Sequence, residues 1–333
     1  MEERSFVTDL PLACGQVLPQ ARLAYAVWGQ LNDAGDNLVL FPTRFGGTHR
    51  ENAFMIGPGR ALDPARWCIV VPNMLGNGVS SSPSNAQPPL DGLRFPAIGH
   101  ADNVALQRRM LAADFGAAPI ALAFGWSMGA QQAYRWAVEE PDRVARLFAL
   151  CGTARTTPHN RVFLESLLAA LEADPRYGGG EAPTAGLRAV GRIYAGWAYS
   201  QPWLKAERFR HEGFTSLDDW LQRYWDAIYR RRDAGNVTAM VRTWIGNDAA
   251  DGGDLAAALG RITARTVVMT ATSDLYFTPA DCAAEAAMIP GAAYRDLETD
   301  WGHMAGSGQS PADTEAVDAA LQALLQAPAC FRM

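Results

Sequence analysis

The sequence predicts an α/β fold in which a mostly parallel sheet is flanked by helices and carries an inserted helical cap. Three observations predict it. Between residues 21 and 150, short apolar runs alternate with helical patterns. The same alternation resumes after residue 264, whereas the portion between has helical patterns and no strand-like runs. We therefore divide the chain into a first core part (1–154), a cap or lid (155–264) and a second core part (265–333).

The first core part contains the predicted strands and crossover helices in order. A helix is expected from about His100 to Phe115, and another from Ser127, directly after the run "PIALAFGW". The strand-like runs are "ARLAYAVWG", "NLVLFP", "WCIVVPN", "PIALAFGW" and "VARLFALCG". This order is typical of parallel strands joined by helices in an open sheet.

The second core part completes the sheet. A strand is predicted at "ARTVVMTATSD", a helix after Pro279, a strand at "AAYRDLE" and a closing helix from about Pro311 to Gln326. The cap between the two parts is rich in tyrosine and tryptophan. For each of these aromatic residues, packing between cap and sheet is at least as good an explanation as contact with a ligand.

The composition excludes several classes of protein. With 49% hydrophobic and 19% charged residues among 333, the chain can bury a large core. A formal charge of −6 argues against a nucleic-acid partner, and the basic run Arg230–Arg232 is expected to be a solvated helix face. No apolar segment has the length needed to span a membrane. No membrane or nucleic-acid partner is therefore expected.

The cysteines and the first residues suggest a reducing compartment. The five cysteines are odd in number and scattered, without a CxxC pair, which argues against a disulfide framework and against a zinc site. Cys68 and Cys151 are expected to be small core residues. The acidic start "MEERSFVTDL" does not resemble a secretory signal. These observations predict a cytoplasmic protein.

The stretch from Gly125 to Gly129, "GWSMG", matches the pattern G-x-S-x-G. The pattern alone is weak, because it arises by chance in many chains. Here an apolar strand precedes it and a helix follows it, as a nucleophile elbow requires. In such an elbow the turn is too tight for flanking side chains, and the serine is presented at the carboxyl end of the sheet. Ser127 is therefore a candidate nucleophile.

A serine hydroxyl needs a base, and a histidine and an acid occur later in the chain. Asp274 follows the strand "TVVMTATS", and His303 follows the strand-like "AAYRDLETDWG". Both lie just past the carboxyl end of a strand, where open α/β sheets place their sites. The order Ser, Asp, His is that of α/β-hydrolases. Asp274 can alternatively be a turn or capping residue, and His303 a hydrogen-bonding loop residue.

Acyl transfer also needs donors for the developing oxyanion. One is the backbone N–H of Met128, at the start of the helix after Ser127. The other is expected from Phe45 or Arg44 in the glycine-rich loop "PTRFGGTH", which can otherwise be a simple turn. His49 in the same loop can line the pocket.

The motifs "GWSMGAQQAYRWA", "PNMLGNGVSSSPS", "SDLYFTP" and "GHMAG" resemble the homoserine O-acetyltransferase family of α/β-hydrolases, and particularly its esterase-like relatives. The likeness runs from "GQVLPQARLAYAVWGQLN" to the closing helix. It implies a triad of Ser127, Asp274 and His303, an acyl-enzyme intermediate, a helical cap and a homodimer.

One departure from that family separates its two branches. In the transferases an aspartate follows the catalytic histidine and holds the homoserine amino group, whereas Met304 stands here. Arg192 and Tyr199 match the family residues that bind the homoserine carboxylate, although Arg192 can equally pair with a carboxylate of the cap. A buried ammonium without a counter-charge costs several kcal/mol, so water is favoured over homoserine as acyl acceptor.

We therefore predict serine-dependent hydrolysis of short-chain, acetyl-type carboxylic esters, with a small-molecule ester as substrate and with no metal or organic cofactor. The alternative is an O-acyltransferase that moves an acyl group from acyl-CoA to an alcohol. A third hypothesis is a non-catalytic binding protein that keeps the fold. The acyl chain and the alcohol are left open, because they depend on how the cap sits on the sheet.

Overall fold

The computed structural model describes residues 1–327 and contains one eight-stranded sheet. Its order across the sheet is β1-β2-β4-β3-β5-β6-β7-β8. The strands are β1 (Glu2–Pro11), β2 (Val17–Trp28), β3 (Leu38–Leu40), β4 (Cys68–Pro72), β5 (Ile120–Trp126), β6 (Arg146–Leu150), β7 (Arg265–Ala271) and β8 (Ala293–Leu297). From β4 to β8 all neighbouring strands are parallel, so the predicted mostly parallel sheet is confirmed.

The helices lie between the strands and on both faces of the sheet. They are α1 (His49–Asn52), α2 (His100–Phe115), α3 (Met128–Glu139), α4 (Pro158–Glu172), α5 (Thr184–Ala198), α6 (Gln201–Lys205), α7 (Leu217–Trp220), α8 (Ala227–Arg230), α9 (Ala234–Ile245), α10 (Leu255–Leu259), α11 (Pro279–Ala286) and α12 (Pro311–Gln326). Short 3₁₀ segments occur at Ala53–Met55, Gly92–Arg94, Arg208–Glu212 and Gly302–Ser307, and a π-helical segment at Leu221–Asp226 joins α7 to α8.

The central strands are apolar along their whole length because both of their faces are covered. In β3, Leu38 and Leu40 belong to the core on one face and Val39 to the core on the other. Successive side chains of a strand point to opposite faces, so each strand supplies both cores. Parallel sheets of this kind have continuous apolar strands. This explains why short runs such as "NLVLFP" were predictive.

The first strand is not among the predicted elements. β1 pairs antiparallel with β2 at the edge of the sheet, and its residues alternate between exposed and half-buried. Phe6 and Leu10 point inward, whereas Val7 and Asp9 between them are exposed. The alternation Phe6, Thr8, Leu10 is the available signal, but the acidic start of the chain obscures it.

Helices α4–α10 lie between β6 and β7 in the chain, where the cap is predicted. Their aromatic side chains pack on residues of the core. The ring of Tyr194 is 5.6 Å from that of Phe45 and 5.4 Å from that of Tyr276. Aromatic pairs at such distances stabilise packing beyond the area they bury. The cap bounds 155 and 264 stay predictions.

The remaining sequence predictions concern cysteines and membrane spans. Cys68 and Cys151 are buried in the core, as expected, and Cys14 is exposed. Cys330 lies outside the described residues. None of the helices in residues 1–327 is both long and apolar enough to cross a membrane.

Candidate active site

Ser127 occupies the turn between β5 and α3. It has φ 59° and ψ −129°, is buried, and donates its backbone N–H to Leu150 O at 3.0 Å. A positive φ is uncommon for a residue with a side chain, and it occurs mainly where the surrounding structure enforces it. The turn therefore holds the serine in the strained geometry expected of a nucleophile elbow.

The glycines around Ser127 are required by close backbone contacts. A Cβ atom on Gly125 would lie 2.1 Å from the backbone of Gly129, and one on Gly129 would lie 2.6 Å from Pro42 O. A Cβ on Gly152, after β6, would lie 2.6 Å from the Cβ of Ala130. Small residues are thus needed on both sides of the serine because strand, helix and neighbouring loops meet there.

Gly125→Ala is expected to destabilise the protein by roughly 3 kcal/mol or more, because the new methyl group overlaps backbone atoms that cannot move independently. Gly196→Ala in α5 is the matched control, since nothing lies within 4 Å of its Cβ position. Chemical denaturation of both variants tests this. Equal stability of the two variants would contradict the packing argument.

Asp274 and His303 form a buried hydrogen-bonded pair. His303 Nδ1 lies 2.7 Å from Asp274 Oδ2. The other carboxylate oxygen of Asp274 accepts the backbone N–H groups of Tyr276 at 2.8 Å and Phe277 at 3.1 Å. These bonds fix the carboxylate, and the carboxylate orients the imidazole. His303 Nε2 is then left to exchange a proton.

Aromatic rings enclose the imidazole of His303. The ring of Trp126 stacks on it at 5.2 Å, and those of Tyr276 and Phe277 lie at 4.6 and 5.5 Å. Gly302, which precedes it, has φ 61°, and a Cβ there would lie 2.8 Å from Ser200 N. Packing and backbone therefore restrict rotation of the histidine.

Ser127 and His303 line the same cavity, but no hydrogen bond joins Ser127 Oγ to His303 Nε2 anywhere in the described chain. Catalytic hydrogen bonds are often long in structures without substrate and shorten when substrate binds. In this structure Asp274 is hydrogen-bonded to His303, whereas the hydrogen bond between His303 and Ser127 is not formed. The complete triad stays a prediction.

Cys151 is an additional residue that sequence reasoning assigned only to the core. Its Sγ and the ligand atoms of Asp274 and His303 lie within 4.8 Å of one another. Burial, followed by the charge of Asp274, raises the pKa of the thiol well above its usual value. A protonated thiol is a poor metal ligand, because the thiolate is the ligating form. We therefore interpret Cys151 as a neutral, buried residue that packs next to Asp274.

The candidate oxyanion donors are three backbone N–H groups near Ser127. Within residues 1–327 the backbone N–H groups of Met128, Phe45 and Arg44 make no hydrogen bond. Buried N–H groups without partners are rare in proteins, and they are expected where a ligand supplies the acceptor. The choice between Phe45 and Arg44 as second donor stays open.

A cavity of about 590 Å³, including the space at its open mouth, lies over Ser127. The core supplies half of its lining: Arg44, Phe45, Trp126, Ser127, His303 and Met304. The region between β6 and β7 supplies the other half: Tyr194, Tyr224, Trp225, Ile228, Tyr229 and Arg232. Tyr224 and Trp225 belong to the π-helical segment, a feature that is frequent at functional sites.

The predicted substrate-binding residues differ in position. Met304 lines the cavity, whereas Arg192 and Tyr199 are not among the lining residues. Arg192 binds both carboxylate oxygens of the buried Asp226 at 3.1 Å, and Tyr199 donates its hydroxyl to Gln309 at 2.7 Å. The structure therefore agrees with the alternative interpretation of Arg192, a pair with a cap carboxylate. Its contact with substrate stays untested.

The structure corrects the expectation for His49 and, in part, the expectation for the run Arg230–Arg232. His49 does not line the cavity, because its ring nitrogens lie 3.0 Å from Glu3 and Asn73. The run Arg230–Arg232 is only in part a solvated face: Arg230 and Arg231 are exposed, but Arg232 is half-buried and lines the cavity. Arg232 follows the end of α8, so helical periodicity does not predict which way its side chain points.

Glu285 in α11 is a buried acid that fixes the loop after β6. Its two carboxylate oxygens accept the backbone N–H groups of Ala154 and Arg155. Burial raises its pKa to about 7, although the two hydrogen bonds lower it. No sequence motif indicated this residue, which lies in an ordinary helical pattern.

The pKa of Glu285 predicts a pH-dependent stability. Because the folded pKa is raised above its usual value of 4.5, the folded protein binds more protons than the unfolded chain between pH 4.5 and about 7. The stability contributed by protonated Glu285 is therefore lost as the pH rises through this window. The free energy of unfolding relative to Glu285→Gln should fall by roughly 1–3 kcal/mol across it. Denaturation of both proteins at several pH values tests this; parallel profiles would contradict it.

Known proteins resemble the chain over most of its length. A family model for the alpha/beta hydrolase fold matches residues 37–307. An ethyl acetate hydrolase of Pseudomonas veronii is 38% identical over 331 residues, 97% of this chain and 95% of that protein. A homoserine O-acetyltransferase of Leifsonia xyli subsp. xyli is 34% identical over 299 residues, 79% of this chain and 74% of that protein. The crystal structure of an acetylester hydrolase from Corynebacterium glutamicum has a TM-score of 0.94 at 36% identity, covering 98% of this chain and 96% of the other.

Proposed function

The chain belongs to the α/β-hydrolase fold family, and we propose that it hydrolyses short-chain, acetyl-type carboxylic esters through an acyl-enzyme intermediate on Ser127. The observation that carries the proposal is the buried Asp274–His303 hydrogen bond of 2.7 Å, with His303 facing the same cavity as Ser127. The similarity to an ethyl acetate hydrolase and to an acetylester hydrolase supports the choice of substrate.

In the first half-reaction Ser127 Oγ attacks the ester carbonyl while His303 Nε2 takes its proton. The negative charge that develops on the carbonyl oxygen is stabilised by the N–H of Met128 and by that of Phe45 or Arg44. His303 then gives its proton to the departing alkoxide, and the alcohol leaves. Asp274 stabilises the imidazolium throughout but is not itself protonated.

In the second half-reaction water replaces the alcohol. His303 Nε2 takes a proton from water as the water oxygen attacks the acyl carbonyl; His303 then returns this proton to Ser127 Oγ, and the acid leaves. The oxyanion donors act again, because the same charge develops. Neither half-reaction calls for a metal or an organic cofactor.

Transfer to homoserine fits the site less well than transfer to water. Met304 lies in the cavity, and a thioether cannot pair with an ammonium group. Arg192 is occupied by Asp226 and is not among the cavity residues. The charged partner expected for the homoserine ammonium group is therefore missing. The partner expected for its carboxylate, Arg192, is paired with Asp226.

The test is hydrolysis of acetyl, propionyl and butyryl esters of one alcohol, with and without homoserine or other alcohols as acceptors. We expect turnover in water alone and the highest kcat/KM for the acetyl ester. A strict requirement for an alcohol acceptor would contradict hydrolysis and favour an O-acyltransferase.

A homodimer and a cytoplasmic location remain further proposals. The dimer rests on the family resemblance alone, and light scattering of the purified protein tests it. The location rests on the five scattered cysteines, which include no CxxC pair.

A further inference from the structure

We propose that Arg44 and Arg232 form an anion-binding subsite beside Ser127, and that the preferred substrates are esters that carry a free carboxylate. The inference rests on the proposed ester hydrolysis and adds the class of substrate. Both arginines line the cavity that contains Ser127 and His303. No aspartate or glutamate is among the residues that line it.

The two guanidinium groups lack protein counter-charges. In the described part of the chain neither Arg44 nor Arg232 makes a salt bridge. Glu51 is close enough to attract Arg44, but it accepts the backbone N–H of Thr48 at 2.8 Å and caps α1. Both side chains are half-buried, and charges that are partly removed from water are normally paired, so two unpaired cations in one cavity indicate an anionic ligand.

The donors of both arginines are only partly used. Arg44 Nη1 donates to Phe45 O at 3.4 Å, and Arg232 Nη1 donates to Gly46 O at 3.2 Å. The Nε atom of each arginine is buried without a partner. Burial lowers the pKa of Arg44, and the charge of Arg232 lowers it further. A carboxylate between the two groups would supply acceptors and relieve their repulsion.

Aromatic rings hold both guanidinium groups in place. Arg44 Cζ lies 4.7 Å from the ring centroid of Trp126, and Arg232 Cζ lies 5.2 Å from that of Tyr229. Cation–π contacts of this kind orient arginine and leave its edge free for hydrogen bonds. The subsite is thus formed before a ligand binds.

The two adjacent glycines of the loop "RFGG" leave the space that these groups occupy. A Cβ atom on Gly46 would lie 1.9 Å from Arg232 Nη1, and one on Gly47 would lie 2.7 Å from Arg44 Nη1. A methyl group at either position would displace the guanidinium group. The loop that supplies the candidate oxyanion donor therefore also admits both arginines.

The group that the two arginines are proposed to bind is a carboxylate on the ester substrate, on either the acyl or the alcohol side of the ester. Pairs of esters with and without a carboxylate distinguish these two positions. Monoethyl succinate against ethyl butyrate tests a carboxylate on the acyl side, and 3-acetoxypropionate against propyl acetate tests one on the alcohol side. The measured quantity is the ratio of kcat/KM between the acidic and the neutral ester of each pair.

We expect this ratio to exceed one for at least one pair in the wild-type protein and to fall about tenfold or more in Arg232→Gln, as expected when a charge-assisted hydrogen bond is lost. Arg231→Gln is the matched control, since Arg231 is exposed and outside the cavity, and it should keep the wild-type ratio. Gly46→Ala should also lower the ratio by displacing Arg232. Arg232→Lys should restore part of it.

The outcomes distinguish this inference from the proposed function. Hydrolysis without any preference for the acidic esters, or an equal ratio in Arg232→Gln and Arg231→Gln, would overturn the subsite and leave the hydrolase intact. If no ester is hydrolysed, the proposed function fails, and calorimetric titration of Ser127→Ala with the two acidic esters decides the subsite. Binding of an acidic ester to Ser127→Ala that is lost in the double variant Ser127→Ala/Arg232→Gln supports the subsite. Absence of binding to Ser127→Ala overturns it.

Discussion

Replacing Ser127 with alanine is expected to lower kcat for an acetyl ester by about three orders of magnitude or more, because no acyl-enzyme can form without the hydroxyl. The fold should be unaffected, since the Ser127 side chain makes no hydrogen bond within residues 1–327. Steady-state hydrolysis and a thermal melt of the same sample measure both effects.

Ser166→Ala is the matched control for this experiment. Its hydroxyl donates to Phe163 O within α4, and the residue is not among those lining the cavity. We expect this variant to keep wild-type kcat. Full activity of Ser127→Ala would contradict the mechanism, and it would favour a non-catalytic binding protein or a different nucleophile.

The second large effect is expected for Asp274→Asn, which should lower kcat by about three to four orders of magnitude. Asp274 Oδ2 accepts from His303 Nδ1 and thereby leaves Nε2 as the base. An amide at this position can present an N–H to Nδ1 and select the opposite tautomer, in which Nε2 carries the proton. Pre-steady-state acylation by an acetyl ester measures the loss at the step where the base acts.

Asp296→Asn is the control for Asp274→Asn. Asp296 is exposed on β8, next to β7, and accepts a hydrogen bond from Tyr294. Removing its charge should leave the acylation rate unchanged. If Asp274→Asn folds and acylates at the wild-type rate, Asp274 does not orient the base, and the acid of the site has to be sought elsewhere.

The order of strands and helices was predictable because the inner strands are buried on both faces. Runs such as "PIALAFGW" are typical of parallel strands with both faces covered. Helix starts were equally clear where a threonine or serine precedes a proline, as at Thr278 for α11 and Ser310 for α12. β1 escaped prediction because an edge strand needs apolar residues on one face only, and its exposed face includes Glu3 and Asp9.

The triad candidates were predictable from the ends of strands, but the surroundings of the site were not. Ser127, Asp274 and His303 each follow a strand of one sheet, so the topology brings them together. The partner of Arg192 depends on how α5 packs against the π-helical segment that carries Asp226. The entry of Arg232 into the cavity depends on the end of α8. Neither arrangement leaves a periodic pattern in the sequence.

The family and the ester-hydrolase prediction are confirmed by the comparisons, whereas the roles of individual residues await experiment. Met304 illustrates the difference. The sequence indicated that it replaces a charged anchor, and the structure places it in the cavity. Its effect on the choice of acyl acceptor is still a prediction.

The most direct test of the central claim is labelling with a fluorophosphonate, a reagent that reacts with activated serines, followed by peptide mass spectrometry. If Asp274 and His303 activate Ser127, the wild-type protein will carry one label per chain, on the peptide that contains Ser127. His303→Gln will then be labelled at least a hundredfold more slowly, consistent with loss of a general base. Labelling at another residue, or at the same rate in both proteins, would contradict the account.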